Sequence, residues 1–388
     1  MDAHPTPRKL YIGGKWRTTD REIDVLNPFT QASCGRAVLG TERDVLDAIE
    51  SAASAFDQVK GTPPFARARL LERIAAEIEA RAGEFAESIM AEAGKPIVFA
   101  EAEVQRAIMT FTVASEEART TPSNMLALDA FPSGAGHFGF TRRVPLGVIS
   151  AITPFNFPLN LVAHKVAPCL ATNNVMVVKP ATKTPLTALL LAEVLAASEV
   201  PPGQINFVTC DNAAAASLIH DERVKKITFT GSPAVGWRLK EQCGKKKITL
   251  ELGGNAGVIV HEDAALATAI PAIAMGAFGF TGQSCISVQR IFVHEPIYDV
   301  FRDELVAHVR EKIRTGDPRE RSSVVGPMIN EEALAQVRRR IADAVRGGAR
   351  ITHGGSVHGS CLEATILENA APEMEICAQE VFAPIVTL

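Results

Sequence analysis

The chain has 388 residues, enough for two or three domains, because a single hydrophobic core rarely grows beyond about 250–300 residues. Apolar residues make up 47% of the sequence and charged residues 22%, and the formal net charge is −4. These values are ordinary for a globular protein and give no indication of a nucleic-acid or anionic-membrane partner.

The N-terminal sequence, "MDAHPTPRKLYIGGKW", has an acid at position 2 and lacks the apolar segment of a signal peptide, which predicts a cytoplasmic location. The uncharged residues 264–289 are long enough to span a membrane on length alone. Their many alanines and glycines, and the interrupting Pro271, favour instead a buried helix that leads into a loop. The seven cysteines are scattered without the spacing of a zinc site, so we expect free thiols and no bound metal.

Helical periodicity dominates the chain up to about Ala118. The apolar residues that recur there with helical spacing are Leu70, Leu71, Ile74, Ile78 and Phe85. Residues 120–142 then contain proline, glycine and serine, and their alternation predicts a hairpin outside the main core.

From Gly147 onward, short apolar runs alternate with helix-like segments. The runs are "GVISAIT", "NVMVVK", "QINFVT", "KKITFTG" and "KKITLEL". This alternation predicts an α/β fold with a parallel sheet covered by helices on both faces, in which ligands bind at the carboxyl ends of the strands. A second alternating unit begins near Asn255 and contains Cys285.

Two candidate binding segments lie where these strands end. Gly231 and Gly236, in "KKITFTGSPAVGWRLK", place a Gly-Ser turn before a helix. Such a turn suits a pyrophosphate, but it is equally a tight turn with Ser232 as the N-cap, and the G-x-G-x-x-G pattern is absent. Lys179 emerges at the end of another strand, where it either meets a cofactor or is solvated.

Three further residues have reactive or hydrogen-bonding side chains. Asn156 lies between Pro154 and Pro158 and is either an amide donor for a ligand or a turn or cap residue. Glu251 interrupts an apolar strand, where burial would prepare it as a general base and an edge position would leave it solvated. Backbone donors would lower the pKa of Cys285 in "FTGQSCISVQR", as a nucleophile requires, although a single cysteine is more often an inert core residue.

Taken in order, these stretches resemble the aldehyde dehydrogenase superfamily. The similarity covers nearly the whole chain, in "LYIGGKW", "DVLNPFT", "TPFNFPLN", "VVKPATKTP", "FTGSPAVG", "LELGGN", "GQSC" and "EVFAP". It implies a Rossmann-like NAD(P)-binding domain at residues 1–119 and 143–251, an oligomerisation hairpin at 120–142 and an α/β catalytic domain at 252–388. The family normally continues beyond this length and has glycine where Ala383 stands, so we expect the catalytic domain to be incomplete at the C-terminus.

The resemblance also implies a reaction. Cys285 would attack the aldehyde carbon, and the Asn156 amide and the Cys285 backbone N–H would hold the oxyanion of the thiohemiacetal. Hydride transfer to the nicotinamide would leave a thioester, which water activated by Glu251 would hydrolyse to a carboxylate. The alternative is a catalytically inactive cofactor-binding or structural protein with the same fold.

Other matching positions are expected to bind the cofactor, NADP or NAD. The resemblance places Lys179 at the adenine-side ribose, Gly231 and Ser232 at the pyrophosphate and Glu380 at the nicotinamide ribose. Further residues of the expected cofactor cleft are Thr153, Pro154, Phe155, Gly236, Leu252, Gly253 and Phe382. Many NAD-preferring members carry a glutamate where this chain has Thr182, and without that charge a 2′-phosphate is not repelled, so we expect NADP to be accepted.

The resemblance places the substrate pocket beside Cys285 and on the helix that follows Asn156. The residues expected to line it are Leu161, His164, Ser284 and Ile286. Broad-range members have a large aromatic residue where His164 stands, and members specific for phosphorylated aldehydes often have arginine where Ser284 stands. We therefore expect a small, polar aliphatic aldehyde such as a lactaldehyde, glyceraldehyde or semialdehyde, and a homodimer or homotetramer for an intact chain.

Overall fold

A computed structural model describes residues 6–120 and 123–388 of the chain. The helices, in chain order, are α1 (Glu42–Val59), α2 (Pro64–Ala80), α3 (Ala82–Ala93), α4 (Ile97–Arg119), α5 (Asn160–Ala171), α6 (Leu186–Ala197), α7 (Ser217–His220), α8 (Pro233–Gln242), α9 (Leu266–Phe278), α10 (Tyr298–Lys312), α11 (Glu331–Arg346) and α12 (Glu375–Ala378). The strands are β1 (Leu10–Ile12), β2 (Lys15–Arg17), β3 (Glu22–Leu26), β4 (Ser33–Val38), β5 (Met125–Leu126), β6 (Gly139–Phe140), β7 (Val148–Ile152), β8 (Val175–Lys179), β9 (Ile205–Phe207), β10 (Val224–Thr230), β11 (Lys247–Glu251), β12 (Ala256–Val260), β13 (Val288–Val293), β14 (Arg314–Thr315), β15 (Ser323–Val325), β16 (Arg350–His353), β17 (Val357–His358), β18 (Cys361–Leu362), β19 (Thr365–Glu368) and β20 (Ile385–Thr387).

The larger sheet has seven strands in the order β11-β10-β7-β8-β9-β1-β2. The strands from β11 to β9 are parallel, and β1 and β2 add an antiparallel edge. The chain runs outward from β7 to β9 and then returns to place β10 and β11 on the other side of β7. This reversal opens a crevice beyond the carboxyl end of β7, where sheets of this kind bind ligands.

Helices cover both faces of the larger sheet, which confirms the predicted α/β fold. Successive residues of β8 alternate between two separate hydrophobic cores, because neighbouring side chains of a strand point to opposite faces. Met176 and Val178 pack in the core that contains residues of α2 to α6, while Val175 and Val177 pack in the core that contains residues of α1.

The predicted helical periodicity near the N-terminus is confirmed in α2 and α3. Leu71, Ile74, Ile78 and Phe85 are fully buried, and Leu70 packs at the margin of the same core. Complete burial of a large apolar side chain stabilises the fold by about 1.5–3 kcal/mol. These two helices therefore contribute a substantial part of the hydrophobic core on one face of the sheet.

A second sheet has the order β12-β13-β20-β19-β16, with β16 alone antiparallel to its neighbour. The predicted buried helix of residues 264–289 is only partly right, because α9 ends at Phe278 and Met275 on its outer face is 46% exposed. No helix within residues 6–120 and 123–388 is long and apolar enough to cross a membrane.

The short strands β5 and β6 pair as an antiparallel hairpin within the segment 120–142. Large apolar side chains of this segment are exposed, among them Phe131, Phe138 and Phe140. The predicted domain boundaries and the role of this hairpin in assembly stay predictions, and the two residues at 121–122 lie outside the described chain.

Candidate active site

The carboxyl ends of four parallel strands bring several predicted residues to one edge of the larger sheet. Ile152, the last residue of β7, pairs with Lys179 at the end of β8, and Thr230 of β10 pairs with Glu251 at the end of β11. Since all four strands are parallel and end in register, the loops that follow them open into the same crevice. The predicted convergence of Asn156, Lys179, Gly231 and Glu251 at one sheet edge follows from this register.

Asn156 lies in the loop between β7 and α5 and is 4% exposed. Its side-chain amide donates a hydrogen bond of 3.0 Å to the backbone carbonyl of Gln283, two residues before Cys285. The cap of α5 is Leu159, so the alternative role of Asn156 as an N-cap is wrong. The contact brings the asparagine amide to the cysteine loop, although the two residues are far apart in the sequence.

Cys285 lies at the tip of a turn in which Ser287 N–H donates to the carbonyl of Ser284 at 3.0 Å. The thiol is free and the residue is exposed, which excludes the packed-core alternative. The Cys285 backbone N–H has no hydrogen-bond acceptor among the residues that the structure describes, and it lies against its own thiol. This N–H is therefore available to a substrate oxygen.

The expectation of a lowered pKa for the Cys285 thiol is wrong. Neighbouring protein atoms shield the thiol from part of the solvent, and this desolvation raises its pKa. The carboxylate of Glu380 raises the pKa further. The backbone N–H of Cys285 and the guanidinium of Arg106 act in the opposite direction without reversing the shift. The thiol consequently needs a proton acceptor before it can act as a nucleophile.

The backbone ahead of Cys285 has an unusual conformation. Phe280, Thr281 and Gly282 all have left-handed φ values, of 50°, 59° and 62°. A non-glycine residue in this region costs about 1–2 kcal/mol. The structure offsets that cost with hydrogen bonds to the segment 326–329, in which Gly326 N–H donates to Thr281 Oγ1 at 2.8 Å and Ile329 N–H donates to Gln283 Oε1 at 3.0 Å.

Glu251 is exposed at the end of β11, the edge strand of the sheet, so of the two alternatives the solvated edge position is confirmed. Its carboxylate makes no hydrogen bond or ion pair with any residue in the described part of the chain, while its backbone carbonyl accepts a bond of 3.0 Å from Gly231 N–H. The Glu251 charge nevertheless acts on Cys285, on His164 and on Lys165, so the carboxylate lies in the same region as the thiol. The Glu251 side chain is therefore solvated and, within the described residues, unpaired.

Lys179 is 6% exposed, so the alternative of a solvated lysine is wrong. Burial lowers its pKa, partly offset by Cys210 and Asp211, and its ammonium has no hydrogen-bond partner in the described chain. The hydroxyl of Thr153, at the end of the neighbouring strand, is also buried and without a partner. A buried hydroxyl without a partner beside the end of a strand that carries a lysine ammonium fits a ligand rich in oxygen atoms, such as a ribose. Thr182 follows on the same loop and is half-buried.

The turn between β10 and α8 leaves little room for side chains. A Cβ atom on Gly236 would lie 2.3 Å from Leu252, and one on Gly231 would lie 2.6 Å from the ring of Phe229. Ser232 occupies the N-cap of α8, as the structural alternative predicted, although its hydroxyl makes no capping bond within the described residues. The exposed hydroxyl and the N-terminus of α8 remain available to a phosphate.

Glu380 lies on the backbone of Gly253 and Gly254. Its carboxylate accepts a hydrogen bond of 3.0 Å from Gly254 N–H, and a Cβ atom on Gly253 would lie 2.0 Å from the same carboxylate. Burial raises the pKa of Glu380 despite that bond. Phe382 packs edge-to-face on Phe155 with ring centroids 5.9 Å apart, which joins the last part of the chain to the loop after β7.

The predicted substrate-pocket residues lie on α5 and on the cysteine turn. Leu161 is half-buried and His164 is exposed one turn later on the same helix. Partial burial lowers the pKa of His164, and the positive charges of Arg106 and Lys165 lower it further. Ser284 is half-buried, while Ile286 beside the cysteine is 76% exposed.

Several residues that support the loops of Asn156 and Cys285 were not identified from the sequence. Glu103 of α4 is fully buried, and its carboxylate accepts hydrogen bonds from Leu159 N–H at 2.9 Å and Asn160 N–H at 3.0 Å at the start of α5. Thr281 and Gln283 were also missed as supports of Cys285. An acidic residue within an otherwise apolar helical face is the one signal that would have drawn attention to Glu103.

One cluster of potential metal ligands lies elsewhere, where β12 and β13 end, and consists of His261, Glu262 and His294. The two imidazole rings stack with centroids 4.8 Å apart and planes 15° from parallel. An imidazole lone pair lies in its own ring plane. Because the two rings are stacked in nearly parallel planes, one ion cannot lie in both planes. We assign no metal there, and the absence of a resident metal stays a prediction.

The chain belongs to the aldehyde dehydrogenase family, whose model, described as "Aldehyde dehydrogenase family", matches residues 16–388. The fold and a cysteine beside a crevice suited to a dinucleotide agree with that class of oxidoreductase. The protein is thus an aldehyde dehydrogenase by family and fold.

Individual relatives cover nearly the whole chain. A 3-sulfolactaldehyde dehydrogenase of Priestia megaterium is 40% identical over 98% of this chain and 79% of its own length. A lactaldehyde dehydrogenase of Methanocaldococcus jannaschii is 35% identical over 98% of this chain and 81% of its own length. The crystal structure of aldehyde dehydrogenase 21 from Physcomitrella patens, in complex with the reaction product succinate, is 37% identical with a TM-score of 0.96 and covers 99% of this chain and 80% of that one.

Solved structures of similar chains hold NAD+ in one case and NADP in another, which supports a nicotinamide cofactor. The residues of this chain fit such a group, because the Thr153 hydroxyl is buried without a partner next to Lys179 at the end of β8. The exposed Ser232 and the N-terminus of α8 offer further hydrogen-bond donors for a phosphate of the cofactor.

Proposed function

We propose that this enzyme oxidises a small, polar aliphatic aldehyde to the carboxylate through a covalent intermediate on Cys285. The observation that carries the proposal is the 3.0 Å hydrogen bond from the Asn156 amide to the Gln283 carbonyl, because it fixes an amide donor beside the cysteine turn. The names of the sulfolactaldehyde and lactaldehyde dehydrogenases support a substrate of this size and polarity.

The first step is attack by Cys285. Its thiol proton passes to the unpaired Glu251 carboxylate, which compensates for the raised pKa of the thiol. The sulfur then forms a bond to the aldehyde carbon, and the carbonyl oxygen becomes an oxyanion. The Asn156 amide and the Cys285 backbone N–H stabilise that oxyanion, and each such donor typically contributes about 10²–10³ in rate.

Bound nicotinamide supplies the hydride acceptor that converts this adduct to the oxidation level of an acid. Glu251, which is exposed, releases the thiol proton to the solvent and then removes a proton from a water molecule, whose oxygen attacks the carbon of the thioester on Cys285. The carbon–sulfur bond breaks, and the carboxylate product leaves while the thiol is restored. The exposure of Glu251 suits this role, since the residue must meet water from the solvent.

We propose that NADP is accepted and that Lys179 and Thr182 contact its ribose end. The hydroxyl of Thr182 is neutral and lies three residues beyond a buried, unpaired ammonium. A 2′-phosphate would therefore meet no repulsion from this side chain and would be attracted by Lys179. Glu380 and Phe382 are proposed to lie at the nicotinamide end, close to Cys285.

We also propose that the exposed hairpin formed by β5 and β6 takes part in homo-oligomer formation. Phe138 and Phe140 are 70% and 67% exposed, and their rings lie 6.4 Å apart. An apolar cluster of this kind on a surface hairpin is typical of a protein interface. We also propose the domain boundaries that the family resemblance implies, with the hairpin at residues 120–142.

The test is an aldehyde panel with NADP and with NAD, in which reduced cofactor is measured. We expect lactaldehyde, glyceraldehyde or succinate semialdehyde to give a higher kcat/KM than hexanal or benzaldehyde. Cys285→Ser should abolish turnover, whereas Glu251→Gln should slow the steady state by about 10²–10⁴. The matched control is Glu373→Gln, an exposed glutamate in the same half of the chain, which should behave as the wild type.

Two results would contradict the proposal in different ways. Preference for hexanal or benzaldehyde would exclude the small polar substrate while leaving the chemistry intact. No reduced cofactor with any aldehyde, in a protein that still binds NADP, would favour the inactive cofactor-binding protein with the same fold.

A further inference from the structure

Arg340 is a buried cation that has no part in the reaction proposed above. It lies on α11 and is 7% exposed. Its guanidinium donates a hydrogen bond of 2.7 Å to the backbone carbonyl of Glu380 and one of 3.4 Å to the side chain of Gln379. A third bond, of 2.8 Å, goes to the carboxylate of Glu375 at the start of α12. Two of the three acceptors therefore belong to the segment that carries the Glu380 carboxylate.

The Glu375 carboxylate has a second cation beside it. The guanidinium of Arg339 donates two hydrogen bonds to it, of 3.1 and 2.9 Å. Arg339 is exposed, whereas Arg340 is buried, and burial of a charge costs free energy unless hydrogen bonds replace its hydration. Among the described residues, the bonds to Gln379 and to the Glu380 carbonyl come from Arg340 alone. These bonds distinguish its role from that of a counter-ion for Glu375.

A second buried side chain, that of Gln289 on β13, holds the same segment. Gln289 is 3% exposed. Its side-chain oxygen accepts a hydrogen bond of 2.8 Å from Val381 N–H, and its side-chain nitrogen donates one of 3.3 Å to the Gly254 carbonyl. The Glu380 carboxylate in turn accepts its bond from Gly254 N–H. Gln289 therefore connects the Gly254 backbone to the residue that follows Glu380.

The segment held in this way contains a strained residue. Phe382 has a φ of 56°, in the left-handed region, where the Cβ atom of a non-glycine residue lies too close to a backbone carbonyl oxygen. Such a conformation persists only where the surrounding contacts impose it. The next residue, Ala383, lies against the cysteine loop, because a Cβ atom on Gly282 would be 2.2 Å from the Ala383 carbonyl oxygen. The contacts that impose the strain therefore also fix where the segment meets the loop of Cys285.

The charge of Arg340 acts on Glu380 as well. Burial raises the pKa of Glu380, whereas the Gly254 N–H and the positive charge of Arg340 lower it. An ionised carboxylate only accepts hydrogen bonds, and a ribose hydroxyl can donate to it. Arg340 therefore favours the form of Glu380 that can accept bonds from a ribose.

We propose that Arg340 is a positioning residue that, together with Gln289, places the Glu380 carboxylate at the nicotinamide end of the cofactor cleft. This inference rests on the proposed role of Glu380 in cofactor binding and specifies the residues on which that role depends. Without Arg340, the Glu380 carbonyl loses its donor and the Phe382 backbone relaxes toward the right-handed region. The Glu380 carboxylate then leaves Gly254 N–H and no longer presents its oxygens to the ribose.

Titration calorimetry with NADP and with 2′,5′-ADP separates the two ends of the cofactor, because 2′,5′-ADP lacks the nicotinamide ribose. Arg340→Gln should lower the affinity for NADP by about 10-fold or more and change the affinity for 2′,5′-ADP by less than about 2-fold. In turnover, KM for NADP should rise by a similar factor, while KM for the aldehyde stays within about 2-fold. Equal losses for the two ligands, or no loss for NADP, would overturn the proposal.

A mutant cycle tests whether Arg340 acts through Glu380. The double variant Arg340→Gln/Glu380→Gln should bind NADP no more weakly than Glu380→Gln alone, because the displaced group is already absent. Arg340→Lys should recover part of the affinity, since an ammonium can still donate to the Glu380 carbonyl. The matched control is Arg339→Gln, which removes a bond to the same Glu375 without touching Glu380 and should stay within about 2-fold of the wild type. Additive losses in the double variant would contradict the positioning role.

Gln289→Met provides a test that leaves Arg340 in place. It removes the bonds to Val381 and Gly254, so it should also weaken NADP binding while 2′,5′-ADP binding is kept. If Arg340→Gln does not fold, as judged by unfolding in urea, Arg340→Lys and Gln289→Met decide, and wild-type affinity for NADP in both would reject the proposal. NAD and ADP replace the two ligands if NADP does not bind. Absence of binding of both NADP and NAD to the wild type would reject the proposed function, and the role of Arg340 with it.

Discussion

The ammonium of Lys95 lies 3.7 Å from the ring centroid of Phe157. On its other side the same ammonium lies 4.1 Å from the ring of Phe280, which belongs to the cysteine loop. It also forms a fully buried ion pair with Glu103, the residue that holds the start of α5. One buried cation therefore connects the Asn156 loop, the Cys285 loop and α4.

Lys95→Met should reduce stability strongly, because it leaves the Glu103 carboxylate buried without a cation. Removal of one partner of a buried ion pair typically costs about 3–5 kcal/mol. The free energy of unfolding in urea is the measurement. The double variant Lys95→Met/Glu103→Gln should recover part of the loss, since a neutral amide still accepts the backbone bonds at α5. Failure of the double variant to recover any stability would show that the charge balance is not the cause.

Glu380→Gln should lower the pKa of the Cys285 thiol. The Glu380 carboxylate opposes formation of the thiolate, so its removal should shift the pH dependence of Cys285 alkylation to lower pH. The rate of iodoacetamide labelling of the cofactor-free enzyme, measured across the pH range with Cys285→Ser as the blank, provides the curve. An unchanged curve in Glu380→Gln, or an equal shift in the control Glu373→Gln, would contradict the assignment.

Thr182→Glu should shift the cofactor selectivity of the enzyme toward NAD. A carboxylate at this position would repel the 2′-phosphate and accept hydrogen bonds from the free ribose hydroxyls of NAD. The ratio of kcat/KM with NADP to kcat/KM with NAD should fall by about 10-fold or more. Thr18→Glu, an exposed threonine beyond the far edge strand of the same sheet, is the control and should keep the original ratio.

Phe138→Ser combined with Phe140→Ser should shift the protein toward the monomer, because the change removes two exposed aromatic rings from the proposed interface. Light scattering after size exclusion gives the mass. Phe65→Ser, which removes a ring that is 61% exposed on α2, is the matched control. The same oligomeric mass in all three proteins would exclude the hairpin from the interface.

The sequence was sufficient to predict the residues at strand ends, and the reason is geometric. Each of Asn156, Lys179, Gly231 and Glu251 follows or closes an apolar run, and a parallel sheet must bring such positions to one edge. The chemistry of each residue was less predictable. The pKa of Cys285 depends on Glu380, and the burial of Lys179 depends on loops from separate strands. Neither property can therefore be predicted from the residues next to Cys285 or Lys179 in the sequence.

The supports of the site could not be predicted for a similar reason. Lys95, just before α4, and Glu103, within α4, lie in a region whose charged residues are mostly solvated. Their side chains are buried only because of the tertiary packing around the start of α5. Thr281 looks like an ordinary polar loop residue until the backbone conformation at that position is known.

The left-handed run from Phe280 to Gly282 has a consequence for how this active site can change. A right-handed helix that continued past Phe278 would consume each successive N–H in its own ladder of hydrogen bonds. The helix ends at Phe278 and the left-handed run starts at Phe280, so the Cys285 N–H is not used in a helical hydrogen bond. Substitutions at exposed positions such as His164 on α5 should therefore leave this N–H free, whereas changes to the buried residues Lys95 and Glu103, which connect to the cysteine loop, should not.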